Sequence, residues 1–181
     1  MIFSDIVGII ADDLTGANDT ALQFHLRGAN TKILLDSECI PQDKADTEVW
    51  ALSSESRNVE DWEAVSRVEK AVRAFVENFS FDYYYKKIDS TIRGHIAKET
   101  LTMLQILGYD AAIIMPAFPQ EGRITVGGYH LLKGVPLGRT EMAMDPHSPI
   151  LESHVPTLLM SQLEDKQKNL IGTIDLKTVM N

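Results

Sequence analysis

Residues 9–21 read Ile9-Ile-Ala-Asp12-Asp13-Leu-Thr-Gly16-Ala-Asn-Asp-Thr-Ala21, and this stretch decides the fold class. An apolar run over residues 5–11 stops on two adjacent carboxylates, and a Thr-Gly-Ala start to an amphipathic helix follows. A nearly continuous apolar strand is one buried on both faces, as in a parallel sheet covered by helices. The turn after such a strand lies at the carboxyl edge of the sheet, where ligands collect and helix N-termini point their free N–H groups. Two acids side by side there suit a cation, a sugar hydroxyl or a proton in transit. Turn and helix-cap chemistry is the plainer use of an Asp, but a cap needs one acid and not two.

Working outward, residues 15–28 form the predicted first helix, with Ala17, Ala21 and Phe24 on one side and Gly28 as its stop. Residues 30–36 alternate as a second strand, and residues 48–53 form a third that delivers Ser54-Glu-Ser-Arg57 to its end. Asn58 is placed to cap a long helix in which Val59, Trp62, Val65, Val68, Val72, Phe75 and Phe79 recur at helical steps, with Trp62 expected in the core. A Tyr-rich strand over 82–88 leads into Asp89-Ser-Thr-Ile-Arg93-Gly94, followed by a helix over 95–107 closed by Gly108 and a fifth strand over 110–115. Strand and helix thus alternate, which calls for an α/β fold: a mainly parallel, Rossmann-like three-layer sheet with helices on both faces. After residue 116 the pattern turns irregular. Residues 116–128 read as loop and 129–137 as a β-hairpin about Lys133-Gly134. A helix capped by Ser153 is expected to reach about residue 168, and 170–174 read as a last strand. The length suits a single domain over residues 1–181, and the sequence stops mid-pattern, as if a second unit once followed.

Seventeen basic against 26 acidic residues give a net charge of −9, which argues against a nucleic-acid or anionic-membrane surface. Residues 84–139 hold seven Lys/Arg against four Asp/Glu, net +3, leaving −12 elsewhere. Such a basic island suits a small anionic ligand, though ordinary scatter would produce it equally often. Cys39 is the sole cysteine, so no internal disulfide can form and a reducing compartment is expected. With no signal-peptide pattern and no apolar run of membrane-spanning length, the expected location is cytoplasmic.

Three loops fall at predicted strand ends: Asp12-Asp13-Leu-Thr-Gly16, Ser54-Glu-Ser-Arg57 and Lys87-Ile-Asp89-Ser-Thr-Ile-Arg93-Gly94. Parallel strands would set them on one edge of the sheet, where they could line one pocket. Lys87, Arg93, two hydroxyls and a helix start are the parts an oxyanion needs. Carboxylates with guanidinium suit a polyhydroxy acid, whose hydroxyls the acids accept and whose carboxylate the bases hold. The same residues could instead make an Asp12/Asp13–Arg93 ion-pair network with no ligand. Other chemistries fail on particular positions. Leu14 stands where a dehalogenase-type phosphatase needs its second carboxylate, and Ser53-Ser54 and Met115-Pro116 stand where a receiver domain needs Asp and Lys. There is no dinucleotide fingerprint, P-loop or Gly-x-Ser-x-Gly elbow, and the five His residues show no zinc-like spacing, so no metal site is expected.

Taken together, Ile10-Ala-Asp-Asp-Leu-Thr-Gly-Ala17, Lys86-Lys-Ile-Asp-Ser-Thr-Ile-Arg-Gly94, Pro116-Ala-Phe-Pro119 with Gly122-Arg123, and Gly134-Val-Pro-Leu137 through Asp145-Pro146 resemble the four-carbon acid sugar kinase family. The similarity runs in order from about residue 7 to about residue 159 and covers only that family's N-terminal, sugar-acid-binding domain. Ile92 replaces the more usual Leu. The resemblance implies an enzyme that phosphorylates threonate, erythronate or 3-oxo relatives. ATP and Mg²⁺ would be bound mainly by a C-terminal nucleotide-binding domain absent here. Asp12 and Asp13 would face sugar hydroxyls, with Asp13 the candidate catalytic base. Arg93 with Lys87 would hold the substrate carboxylate and Asp89 would orient one of them. Gly122 and Arg123 would close the pocket, and Arg57 joins the substrate-binding set. The implied partners are a small anionic polyhydroxy acid, a separately encoded C-terminal kinase domain and a second copy in a homodimer. Two alternatives stay open: a truncated sugar-acid-binding module without activity of its own, and a structural remnant.

Overall fold

Alternating side chains on β1, Val7–Ala11, set the architecture of the first half. Successive residues of a strand point to opposite faces. Ile9 and Ala11 join Ala17, Ala21, Ala29, Val49 and Ala51 on one face, and Ile10 joins Leu34, Trp50, Leu52, Val68, Ala71, Val72, Phe75 and Met103 on the other. The computed structural model describes residues 5–180; residues 1–4 and Asn181 of the expected single domain lie outside them. The chain divides into two units, one up to Ile88 with Glu99–Ala112, the other Asp89–Lys98 with the residues from Ile113 onward.

In the first unit, β1 pairs in parallel with β3 (Val49–Ser53) and β4 (Tyr83–Lys87), and β2 (Thr31–Leu34) pairs in parallel with β3. The strand order is β2-β3-β1-β4. Helix α1 (Leu14–His25) covers the alanine-rich face, and α2 (Asp61–Asn78) with α3 (Ile96–Leu107) covers the other. This is the three-layer α/β fold read from the sequence. Fully burying a Phe or Ile contributes roughly 1.5–3 kcal/mol, whereas a solvent-exposed pair such as Lys70–Glu38 is screened by water, so the two-faced core holds the sheet.

Three expectations fail here. The N-cap of α2 is Glu60, without a side-chain cap bond, and not Asn58. Trp62 is 72% exposed. The buried stripe of α2 is Ala64, Val68, Ala71, Val72 and Phe75. Trp62 lies two residues before Ala64, roughly 200° around the helix at about 100° per residue. The small alanines set the stripe, and a reading led by large apolar residues drew it too wide. The fifth strand over 110–115 does not form, and Ile113 and Met115 are each 79% exposed. Apolar composition gives strand propensity, but a ladder partner must come from elsewhere in the chain.

The second unit carries an antiparallel sheet of β5 (Arg123–Val126), β6 (Tyr129–Leu132) and β7 (Val135–Pro136) in that order. The hairpin about Lys133-Gly134 is present, and both turn residues have positive φ, +49° and +82°. A second hairpin over Gly127-Gly128 (φ +56° and +82°) lies where the sequence reading placed loop. Two-residue turns of this kind need positive φ at both positions, so the Gly-Gly pair was the available signal. Ser153 does not cap the next helix. Its hydroxyl accepts from Gly138 N at 2.9 Å, and α4 runs Val155–Ser161 after an N-cap at His154. A separate 3-10 turn, Asp165–Leu170, replaces the rest of that predicted helix, and 170–174 form no strand before α5 (Leu176–Met180). Among the described residues, no helix is long and apolar enough to cross a membrane.

Candidate functional site

The acid pair is built by sheet register. Ala11 is level with Ser53, so the segment leaving β3 runs beside the segment leaving β1. Ser54 N donates to Ala11 O at 2.8 Å, and Ser56 N and Arg57 N donate to Asp12 O at 3.0 and 3.3 Å. These ties bring the Arg57 guanidinium onto both acids. Nε and Nη2 grip Asp12 as a fork (2.8 and 2.9 Å), and Nη1 reaches Asp13 Oδ2 at 2.5 Å. Asp13 is also the N-cap of α1, its Oδ1 accepting from Gly16 N at 2.7 Å. The two acids therefore divide their work: Asp12 anchors Arg57, while Asp13 caps the helix and touches Arg57. Their side chains are 4% and 25% exposed, so Asp13 is the one a ligand can reach. The arginine that grips both acids within this unit is Arg57.

Lys87 lies level with Ala11 on the opposite flank of β1. A Cβ on Gly16 would stand 2.7 Å from Asp13 Oδ1 and 3.2 Å from Lys87 Cγ, so the absent side chain lets the lysine stem and the capping acid meet over the first turn of α1. Lys87 Nζ donates to Ile88 O at 2.6 Å. Its neighbour makes a pair the sequence reading missed: Lys86 Nζ sits 2.6 Å from Glu99 Oε2, with Glu99 buried, Lys86 partly so, and Glu99 Oε1 without a hydrogen-bond partner. Apolar spacing marks α3 well but gives no sign that one of its acids faces inward.

In the second unit Asp89 accepts from Arg93 Nε at 2.7 Å and Nη2 at 3.3 Å, and Arg93 Nη1 donates to Asp145 Oδ2 at 3.0 Å. Asp145 Oδ1 also accepts from Ser148 N (2.8 Å) and His147 N (3.0 Å). Those two amides, then Arg93, lower its carboxyl pKa to about 2. Asp145 entered the sequence reading only as the end of a motif, since nothing in sequence pairs residues 52 apart. Gly122 takes φ +70° as the cap of the 3-10 turn Pro119–Glu121, with Lys133 packed against it. Arg123 Nε is buried without a hydrogen-bond partner.

Chemically, each unit presents a guanidinium braced by two carboxylates. A carboxylate has about four acceptor positions, so the bracing leaves capacity for hydroxyl donors. Among the described residues no group of three or more His, Cys, Asp or Glu side chains is placed to hold a metal ion.

A family model described as a sugar-binding N-terminal domain matches residues 7–181. A D-erythronate kinase of Heliobacterium modesticaldum is 40% identical over 179 residues, covering 96% of this chain and 39% of that protein. A D-threonate kinase of Salmonella typhimurium is 38% identical over 156 residues, covering 86% of this chain and 36% of that protein. Among solved structures, a domain of unknown function from Bordetella bronchiseptica, crystallised with bound citrate as a domain-swapped dimer, superimposes with a TM-score of 0.79 at 38% identity. That match covers 84% of this chain and 39% of the other. The chain spans less than two fifths of the length of these relatives.

Proposed function

Because the chain belongs to the family of sugar-binding N-terminal domains, we propose that it is the substrate-binding part of an ATP-dependent kinase acting on four-carbon sugar acids. The observation that carries this reading is the Asp12–Asp13–Arg57 cluster where β1 and β3 end: a pair of acids held in fixed geometry, one of them reachable. The activities named for the Heliobacterium and Salmonella relatives support a four-carbon acid as the ligand, and the citrate in the Bordetella structure supports a carboxylate-bearing one.

Within the first unit, Asp13 accepts from ligand hydroxyls while Asp12 holds Arg57 still, and Lys87 adds positive charge beside them. Within the second, Arg93 and Arg123 supply the carboxylate-binding chemistry, Asp89 orients Arg93, and Gly122 shapes the turn that carries Arg123. In the whole kinase Asp13 is the group proposed to take the hydroxyl proton, since general-base work needs hydrogen-bond reach before anything else. ATP and Mg²⁺ belong to a C-terminal kinase domain, because phosphoryl transfer is mostly positioning and charge stabilisation and needs those groups held. A homodimer of the chain and a cytoplasmic setting complete the proposal.

Titration calorimetry with D-erythronate, D-threonate and the uncharged tetrol erythritol tests the reading. The expected result is saturable heat with at least one acid and none with erythritol at the same concentrations. Absence of heat with every four-carbon acid, from a chain whose circular dichroism shows it folded, overturns it.

A further inference from the structure

The loop of residues 89–94 holds a backbone that its sequence disfavours. Ile92 sits at φ +57° with its side chain 1% exposed. For a β-branched residue this is an outlier, and such a conformation persists only where the surroundings over-determine it. Part of the restraint is local. Ile92 N donates to Asp89 O at 2.9 Å, Arg93 N reaches Asp89 Oδ2 at 3.4 Å, and the Thr91 hydroxyl donates to the same carboxylate. These bonds move with the loop and cannot locate it. Its C-terminal half is located by Arg93–Asp145 and by Gln162 Nε2 donating to Gly94 O at 2.8 Å. Its N-terminal half is held at Ser90 O, 2.9 Å from Nε2 of His130.

His130 is fully buried on β6. It lies directly opposite Thr125 on β5, whose hydroxyl is 2.8 Å from Nδ1. A carbonyl can only accept, so Nε2 carries the hydrogen. Nδ1 makes the ring's second hydrogen bond, with the Thr125 hydroxyl. His130 N also donates to Ser153 O at 2.8 Å, so the residue is fixed at backbone and ring alike.

We infer that His130 is a positioning residue whose Nε2–H pins the Ser90 carbonyl, holds Ile92 in its left-handed conformation and so sets the direction in which Asp89 and Arg93 present their charges. The part concerning ligand rests on the sugar-acid-binding reading; the part concerning the loop does not.

A pair of amide substitutions isolates the Nε2 donor. His130→Gln places an N–H near the Nε2 position, whereas His130→Asn reaches only as far as Nδ1. Asn is one methylene smaller than Gln, so a role in packing alone predicts that any loss in His130→Asn extends to the amides of β5 and β6 around the ring. Expected for His130→Gln is affinity for D-erythronate within about twofold of wild type, and for His130→Asn a loss of about tenfold, the worth of one hydrogen bond at the upper end. Amide exchange at Ile92 and Arg93 should quicken in His130→Asn while the amides of β5 and β6 keep their protection. Equal affinities and equal exchange in the two variants overturn the inference. Should His130→Asn not fold, the wild-type protein decides by ¹⁵N NMR of the ring: an Nε2–H tautomer supports the assignment and an Nδ1–H tautomer overturns it. If wild type binds no four-carbon acid, the functional reading falls, and exchange and tautomer still judge His130.

Discussion

Arg57 and Arg93 each grip two carboxylates, and the grips are built by opposite means. Arg57 meets Asp12 and Asp13 because parallel register sets the ends of β1 and β3 side by side, and because one of the acids caps the helix that follows. Every part of that cluster lies within a few residues of a regular element. Arg93 meets Asp89 four residues away and Asp145 across 52, in a loop whose Ile92 is strained and whose ends are tied to α4's neighbour Gln162 and to β6. The first cluster is a by-product of the sheet; the second is assembled from long-range bonds. The difference predicts that damage to the buried Asp12–Arg57 pair of the first spreads into stability, while loss of Arg93 from the second falls mainly on binding.

The largest effect should come from Arg57→Ala. Arg57 and Asp12 side chains are 11% and 4% exposed, so the variant leaves a buried carboxylate without its counter-charge. Removing one member of a buried pair costs about 3–5 kcal/mol, and urea unfolding should show a loss in that range. A loss under 1 kcal/mol would mean that water or Lys87 takes over the pairing, and the contrast between the clusters would collapse. Arg93→Ala should act the other way round. Its side chain is 28% exposed, so folding should suffer less, while affinity for D-erythronate falls by about 2 kcal/mol, as for a charge-assisted hydrogen bond. Unchanged affinity in titration removes Arg93 from the binding set.

The same contrast explains what could be read in advance. The strand-turn-helix at residues 9–21, the alternation that gives three layers and the Lys133-Gly134 hairpin all rest on local periodicity and turn chemistry, and all are present. The Asp12-Asp13 and Ser54–Arg57 loops could be set side by side because strand ends in a parallel sheet are neighbours by construction, but nothing in the sequence marked Arg57 as the side chain that grips both acids. Trp62 and residues 110–115 show the limit: apolar composition says what could be buried, but not which face a helix turns inward or whether a strand finds a partner. Asp145, Glu99 and His130 mark a second limit, since each works through a partner that no spacing in the sequence announces.

A smaller effect separates Asp13's two duties. Ser caps helices about as well as Asp, so Asp13→Ser should keep the bond from Gly16 N and change stability by less than about 1 kcal/mol. It removes the acid that faces Arg57, so affinity for a four-carbon acid should drop by roughly tenfold, about 1.4 kcal/mol. A variant that binds as wild type does would return Asp13 to plain capping, and the doubled acid would need another reason. Asp13→Asn is the companion measurement, because it retains an acceptor oxygen while discarding the charge.

The smallest effect tests how self-sufficient the acid end of the second cluster is. The Asp145 carboxyl is held at about 2 first by the Ser148 and His147 amides and only then by Arg93. A depressed carboxylate stabilises the fold fully above the ordinary carboxylate range, and that contribution is lost as the pH falls toward 2. Asp145→Asn should therefore be slightly less stable than wild type near neutrality, with the gap closing as the pH falls from the ordinary carboxylate range toward 2. Urea midpoints across that window measure it, and a gap independent of pH would show that Asp145 acts through packing and not through charge. Because the amides come first among the causes, the Asp145 carboxyl in Arg93→Ala should still titrate below the ordinary range by ¹³C NMR. A return to the ordinary value in that variant would make Arg93 the organiser of the turn over residues 145–148; a retained low value would make the turn a pre-formed seat into which Arg93 docks.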